Sequence, residues 1–136
     1  MSRFAPLLLL CVTTLLVGCA SRPAAGLYNN TGRRIIGAVQ QGQTLIVHRS
    51  LLSPGEWKVN SPWPTEVGER ATVSWQEEEQ QYSREVAIGN AVSNSFNGTV
   101  WFKVEPDRSV LVIPVTRNDA NQGTAGPDRW KRESRR

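Results

Sequence analysis

Apolar and polar positions fall into three regimes along this chain. From Phe4 to Val17 the residues are almost wholly apolar, with Leu7 to Leu10 unbroken. Between residues 28 and 116 the pattern alternates with a period of two. Beyond Thr116, Asn, Asp, Gly and Pro take over, as in Asn118-Asp119-Ala120-Asn121-Gln122-Gly123. That composition reads as loop or disorder.

The middle regime is built of strands. Ala71, Val73 and Trp75 alternate with Thr72, Ser74 and Gln76, the signature of a half-buried strand. Tyr82 to Ile88 alternates too, with Val86 and Ile88 on the expected inner face and a polar run, Gln76 to Gln81, forming the hairpin tip. Thr99 to Glu105 sets Val100, Phe102 and Val104 against Trp101 and Lys103. Pro106-Asp107-Arg108-Ser109 fits a turn. Val110 to Ile113 is continuously apolar and predicts a strand covered on both faces. Pro114 cannot donate to a ladder, so the far end of that strand belongs at an edge or bulge. Earlier, residues 34–39 and 44–48 form two strands joined through Gln40-Gln41-Gly42-Gln43, and Trp57 to Asn60 is a shorter one. No segment keeps a helical period long enough for a helix. Six or seven short strands at hairpin spacing predict an all-β domain, a small antiparallel β-sandwich or partly open barrel.

The apolar front end changes the picture from a plain β domain to an exported one. Met1-Ser2-Arg3 supplies a positive start, the apolar run follows, and Leu16-Val17-Gly18-Cys19 closes it. This is the three-part form of a secretory signal, too short and too interrupted by Pro6 for a membrane-spanning helix. Leu-Val-Gly-Cys resembles the lipobox of bacterial lipoproteins. The resemblance implies cleavage between Gly18 and Cys19, a diacylglyceryl group on the Cys19 thiol, and acylation of the new amino group. Cysteine usage agrees. The chain has two cysteines, and Cys11 lies in the part removed, so Cys19 keeps no disulfide partner. Ala20, rather than Asp, follows the cysteine, which in Gram-negative lipoproteins implies transfer to the outer membrane, facing the periplasm.

The expected organisation is a signal peptide at 1–18, a lipidated tether at 19–27, a β domain at 28–116 and a flexible basic tail at 117–136. Fully extended, Ala20 to Leu27 reach under about 30 Å, which keeps the domain near the membrane. The whole chain carries 16 Lys and Arg against 12 Asp and Glu, and cleavage removes one of the cations, Arg3. The surplus sits at the end, where Arg129, Lys131, Arg132, Arg135 and Arg136 face only Glu133. The tail lacks the Gly and aromatic interleaving of RNA-binding segments, and an exported chain meets little nucleic acid. Contact with anionic headgroups or an acidic partner is the alternative to a solvated end.

A search for chemistry returns little. His48 is the single histidine and lies in a strand, and no Gly-x-Ser-x-Gly elbow accompanies it. A zinc site normally takes about three or four His, Cys or carboxylate ligands, so no metal site is expected. Glu77, Glu78 and Glu79 read as a solvated hairpin tip, because side chains alternate along a strand and cannot all face one ion. The Asn29-Asn30-Thr31 and Asn97-Gly98-Thr99 triplets read as turn chemistry. The residues point to no enzyme and no cofactor. The aromatics are the strongest remaining feature. Trp75 belongs in the core. Trp63, stiffened between Pro62 and Pro64, is a candidate partner-contact anchor, with a Trp folded over the sandwich end as the alternative. Trp101, opposite the core positions of its strand, is a second candidate contact.

Three short stretches resemble a small family of bacterial lipoproteins without an assigned activity. They are Tyr28-Asn29-Asn30-Thr31 with Ile35, then Trp63-Pro64-Thr65-Glu66-Val67-Gly68 leading to Val73-Ser74-Trp75, and Gly98 to Val104 with Asp107 and Val110-Leu111-Val112. Family members often carry cysteines before the first Trp block, and this chain has none there. Members often neighbour type VI secretion phospholipase effectors. The resemblance therefore implies a membrane-anchored protein-binding module, in its sharpest form an immunity protein against a secreted lipase toxin. The other expectation is a structural or assembly lipoprotein of the envelope or of a secretion complex, bound by edge-strand addition.

Overall fold

The computed structural model describes residues 22–89 and 92–117. Eight strands run in chain order: β1 (Ala24–Asn29), β2 (Ile35–Gln41), β3 (Thr44–Leu52), β4 (Trp57–Asn60), β5 (Arg70–Glu77), β6 (Gln80–Ala87), β7 (Gly98–Val104) and β8 (Val110–Thr116). They form two four-stranded sheets, ordered β4-β1-β7-β8 and β3-β2-β5-β6, stacked as a sandwich rather than closed as a barrel.

The strand beyond the expected six or seven is β1. Its sequence, Ala-Ala-Gly-Leu-Tyr-Asn, gives no alternating signal, and Ala24 to Leu27 read as tether from composition. In the fold β1 is central, flanked by β4 and β7, so Ala25 to Asn29 are buried on both faces. A strand covered on both sides has no polar face to betray it. β1 also makes the one parallel pairing, running beside β7 from Ala24↔Thr99 to Asn29↔Val104. All other pairs are antiparallel.

Inner-face residues of both sheets meet in one core. Ala25, Leu27, Val100, Phe102 and Val104 from the first sheet pack on Ile35, Val39, Val73, Trp75 and Ile46 from the second. Each fully buried Leu, Ile, Val or Phe side chain stabilises by roughly 1.5–3 kcal/mol. β8 departs from expectation, because it is an edge strand with Leu111 half-exposed rather than a strand covered on both faces. Pro114 sits on this edge strand, where its missing N–H costs no inner ladder bond.

Turn chemistry holds the ends. Asn29 accepts from the Thr31 N–H through Oδ1 at 3.0 Å and donates through Nδ2 to the Leu52 carbonyl at 3.1 Å. The Asn-x-Thr triplet is thus an Asx turn that also ties β1 to β3. Gly42, in the β2–β3 turn, has φ 59°. The β1–β2 turn shares its end of the sandwich with the β5–β6 hairpin tip, which lies against the β7–β8 turn, whereas the β2–β3 turn is at the opposite end. The two ends are therefore distinct. One holds the start of β1, the end of β8 and the 61–69 loop; the other holds the two tight hairpin tips.

Candidate functional site

Register assigns every residue of the first sheet to a face. Gly26 pairs with Trp101 and Val59, Tyr28 with Lys103 and Trp57, and Trp101 and Lys103 with Ile113 and Leu111. These residues lie opposite the core. Apart from Lys103, which pairs with Glu105, the outer face of the first sheet is consequently apolar here, and Trp57, Val59 and Leu111 are 45%, 39% and 47% exposed. Trp57 stands edge-on to Trp101, with ring centroids 6.5 Å apart and planes at 82°. Trp101 lies flat over Gly26, where a Cβ would come within 2.5 Å of its ring. The absent side chain at Gly26 is what lets an indole lie down on the sheet.

This corrects the aromatic contacts expected from sequence. Trp63 is fully buried. Its ring enters the end of the sandwich 6.4 Å from Phe102, and its Nε1–H donates to Gln41 Oε1 at 3.2 Å. The two flanking prolines hold it there as a plug, the alternative the sequence had left open. Trp101, on the outer face as expected, is only 4% exposed. Neither presents a ring to a partner. Among the described residues the half-exposed indole is Trp57, whose four-residue strand is too short for its sequence to show a face. Gly18 and Cys19, expected to carry cleavage and lipid, lie outside the described residues, as does the basic tail beyond Arg117.

A second cluster joins the two hairpin tips. The acidic run expected to be solvated divides: Glu78 and Glu79 are exposed, whereas Glu77 is 6% exposed. Period two explains this, since Glu77 continues the inner face of Ala71, Val73 and Trp75. The Trp75 Nε1–H donates to Glu77 Oε1 at 3.2 Å, and Arg108 Nη2 lies 3.4 Å from Glu77 Oε2. The Arg108 guanidinium sits 4.5 Å above the Tyr82 ring, which stacks on Trp75 at 5.6 Å. Two residues here hold left-handed backbone, Glu78 at φ 53° and Arg108 at φ 67°. Such conformations cost a non-glycine residue roughly 1–2 kcal/mol. At Arg108 the side-chain contacts offset that cost. Nearby, Asp107 is held below the usual carboxylate range by the Ser109 hydroxyl and then the Ser109 N–H, both donating to Oδ1.

His48 is exposed on the edge strand β3, where its backbone N–H donates to Asn60 Oδ1 at 3.0 Å. Among the described residues no group of three or more His, Cys, Asp or Glu gathers in a metal-binding arrangement, and no helix is long and apolar enough to cross a membrane. Set against protein-family models, curated proteins and solved structures, the chain finds no match.

Proposed function

We propose that this protein is a lipid-anchored lipoprotein on the periplasmic face of the outer membrane that works by binding another protein. In its sharpest form the partner is a lipase toxin delivered by a type VI secretion system, and this chain is the immunity protein. The observation that carries the reading is Trp57, a half-exposed indole on an apolar sheet face. Trp is enriched among the residues that dominate interface energies, and exposed apolar faces mark interaction surfaces.

The placement of the strands supports an anchor at one end. β1 starts at Ala24, so a lipid on Cys19 is separated from the sheet by the four residues Ala20 to Pro23, a span under about 18 Å when extended. A toxin attacking phospholipids would meet the inhibitor close to the bilayer. The assembly reading would draw on β3 or β6, the long edges of the second sheet, since β8 is interrupted by Pro114 and β4 has four residues.

The test directs a phospholipase effector encoded beside this gene to the periplasm, with and without the protein. Rescue of growth and of lipid content is expected. Trp57→Ala should lose the rescue while the protein stays folded and membrane-bound. Unchanged lipid hydrolysis in the presence of the wild-type protein contradicts the immunity reading.

A further inference from the structure

At the end of the sandwich where β1 begins, an open cleft of about 310 Å³ is lined by Arg22, Arg117, Ser61, Asn97, Thr99 and Trp101, among others, and, among the described residues, by no Asp or Glu. Two arginines converge there from segments far apart in sequence. Both backbones are fixed by the fold. The Arg117 N–H donates to the Asn97 carbonyl at 2.9 Å, continuing the β7–β8 ladder past its last pair. Arg22 precedes Pro23, whose carbonyl accepts from the Trp63 N–H at 2.8 Å. Neither guanidinium is in an ion pair among the described residues. Two unpaired guanidiniums beside a Ser hydroxyl, a Thr hydroxyl and an Asn amide form a donor set suited to a phosphate oxyanion. Arginine's planar fork matches that geometry better than a lysine would.

We propose that this cleft binds the phosphate of an anionic phospholipid headgroup, so that the domain rests on the bilayer by this end. The source of the phosphate follows from position: Arg22 is three residues from Cys19. On the lipoprotein reading a lipid anchor therefore starts within about 11 Å of the cleft. Headgroup capture would hold the sandwich upright, with the Glu77–Arg108 hairpin tips pointing away from the membrane. The choice of a lipid source rests on the reading of Cys19, but binding at the cleft is measurable without acylation.

The experiment uses the chain from Ala20 to Arg136, which keeps every described residue and carries no lipid. Its sedimentation is measured with vesicles of phosphatidylcholine alone and with vesicles containing phosphatidylglycerol. Inorganic phosphate is titrated in parallel, following the amide resonances of Asn97, Gly98 and Thr99. Binding to the anionic vesicles only is expected. Arg22→Gln with Arg117→Gln should weaken it by about thirtyfold, as each basic residue near an anionic surface is worth about a fivefold factor. Arg34→Gln with Arg49→Gln, an equal loss of charge elsewhere, should have a much smaller effect. Equal weakening by the two pairs overturns the site, as does binding lost only when the five cations of residues 129–136 are neutralised. Phosphate shifts without vesicle binding overturn the lipid source. Loss of membrane fractionation in Cys19→Ser tests the anchor separately, so either idea can fail while the other stands.

Discussion

Replacing Arg108 by glycine sets two opposed effects against each other. The native φ of 67° is one that glycine adopts freely. Relief of that backbone conformation should stabilise by about 1 kcal/mol. Against this stands the loss of the guanidinium above Tyr82 and beside Glu77. A cation over an aromatic ring contributes about 0.5–2 kcal/mol depending on its exposure. Breaking a buried ion pair costs about 3–5 kcal/mol, because the remaining charge is stranded. That range must be taken at its low end or below, since the Arg108 side chain is 39% exposed and the pair is 3.4 Å long. Glu77 also keeps the Trp75 N–H. The net expectation is a destabilisation of about 2 kcal/mol, near 10 °C in Tm for a domain of this size. Urea unfolding followed by tryptophan fluorescence measures it. Adding Glu77→Gln to Arg108→Gly should recover part of the loss, because the amide still accepts from Trp75 and no charge is stranded. An Arg108→Gly variant as stable as the wild type, or more so, would show the clasp between the tips to be energetically idle.

Gly26→Ala should destabilise by about 1–3 kcal/mol, as an added methyl forces the Trp101 ring off the sheet, and thermal unfolding will register it. Trp63→Ala should cost about 3–5 kcal/mol, close to the whole stability of a small domain, and is expected to yield little folded protein on expression. Trp57→Ala, by contrast, should leave Tm within a few degrees, because the ring is half-exposed. Asp107 titrates lower when folded than unfolded, so its contribution is present above the ordinary carboxylate range and is lost as pH falls through the folded value. Asp107→Asn should therefore flatten the acid limb of the stability–pH curve, measured by denaturant midpoints at successive pH values.

The sequence made the sandwich legible wherever one strand face was wet. β5 shows this best: Ala71, Val73 and Trp75 are buried while Thr72, Ser74 and Gln76 are half-buried, the alternation that predicted it. β1 was illegible for the opposite reason, being buried on both faces and made of small residues that look like linker. The aromatics needed tertiary information. Trp63 between two prolines has the same local appearance whether it points outward or plugs the sandwich, and only the position of Gln41 on β2 decides it. Trp57 and Trp101 became a pair through the register of β4, β1 and β7, which no local pattern encodes. Nor does the alternation that predicted β5 say that Glu77 at its end finds an arginine 31 positions away.

On the proposed reading, Cys19 carries the anchor of a protein that acts at the membrane. Mass spectrometry of the polypeptide isolated from bacterial membranes tests it most directly. A chain beginning at Cys19 is expected, with a diacylglyceryl thioether on its sulfur and an acylated amino terminus. A chain that keeps residues 1–18, or one that begins at Cys19 with an unmodified thiol, would contradict it.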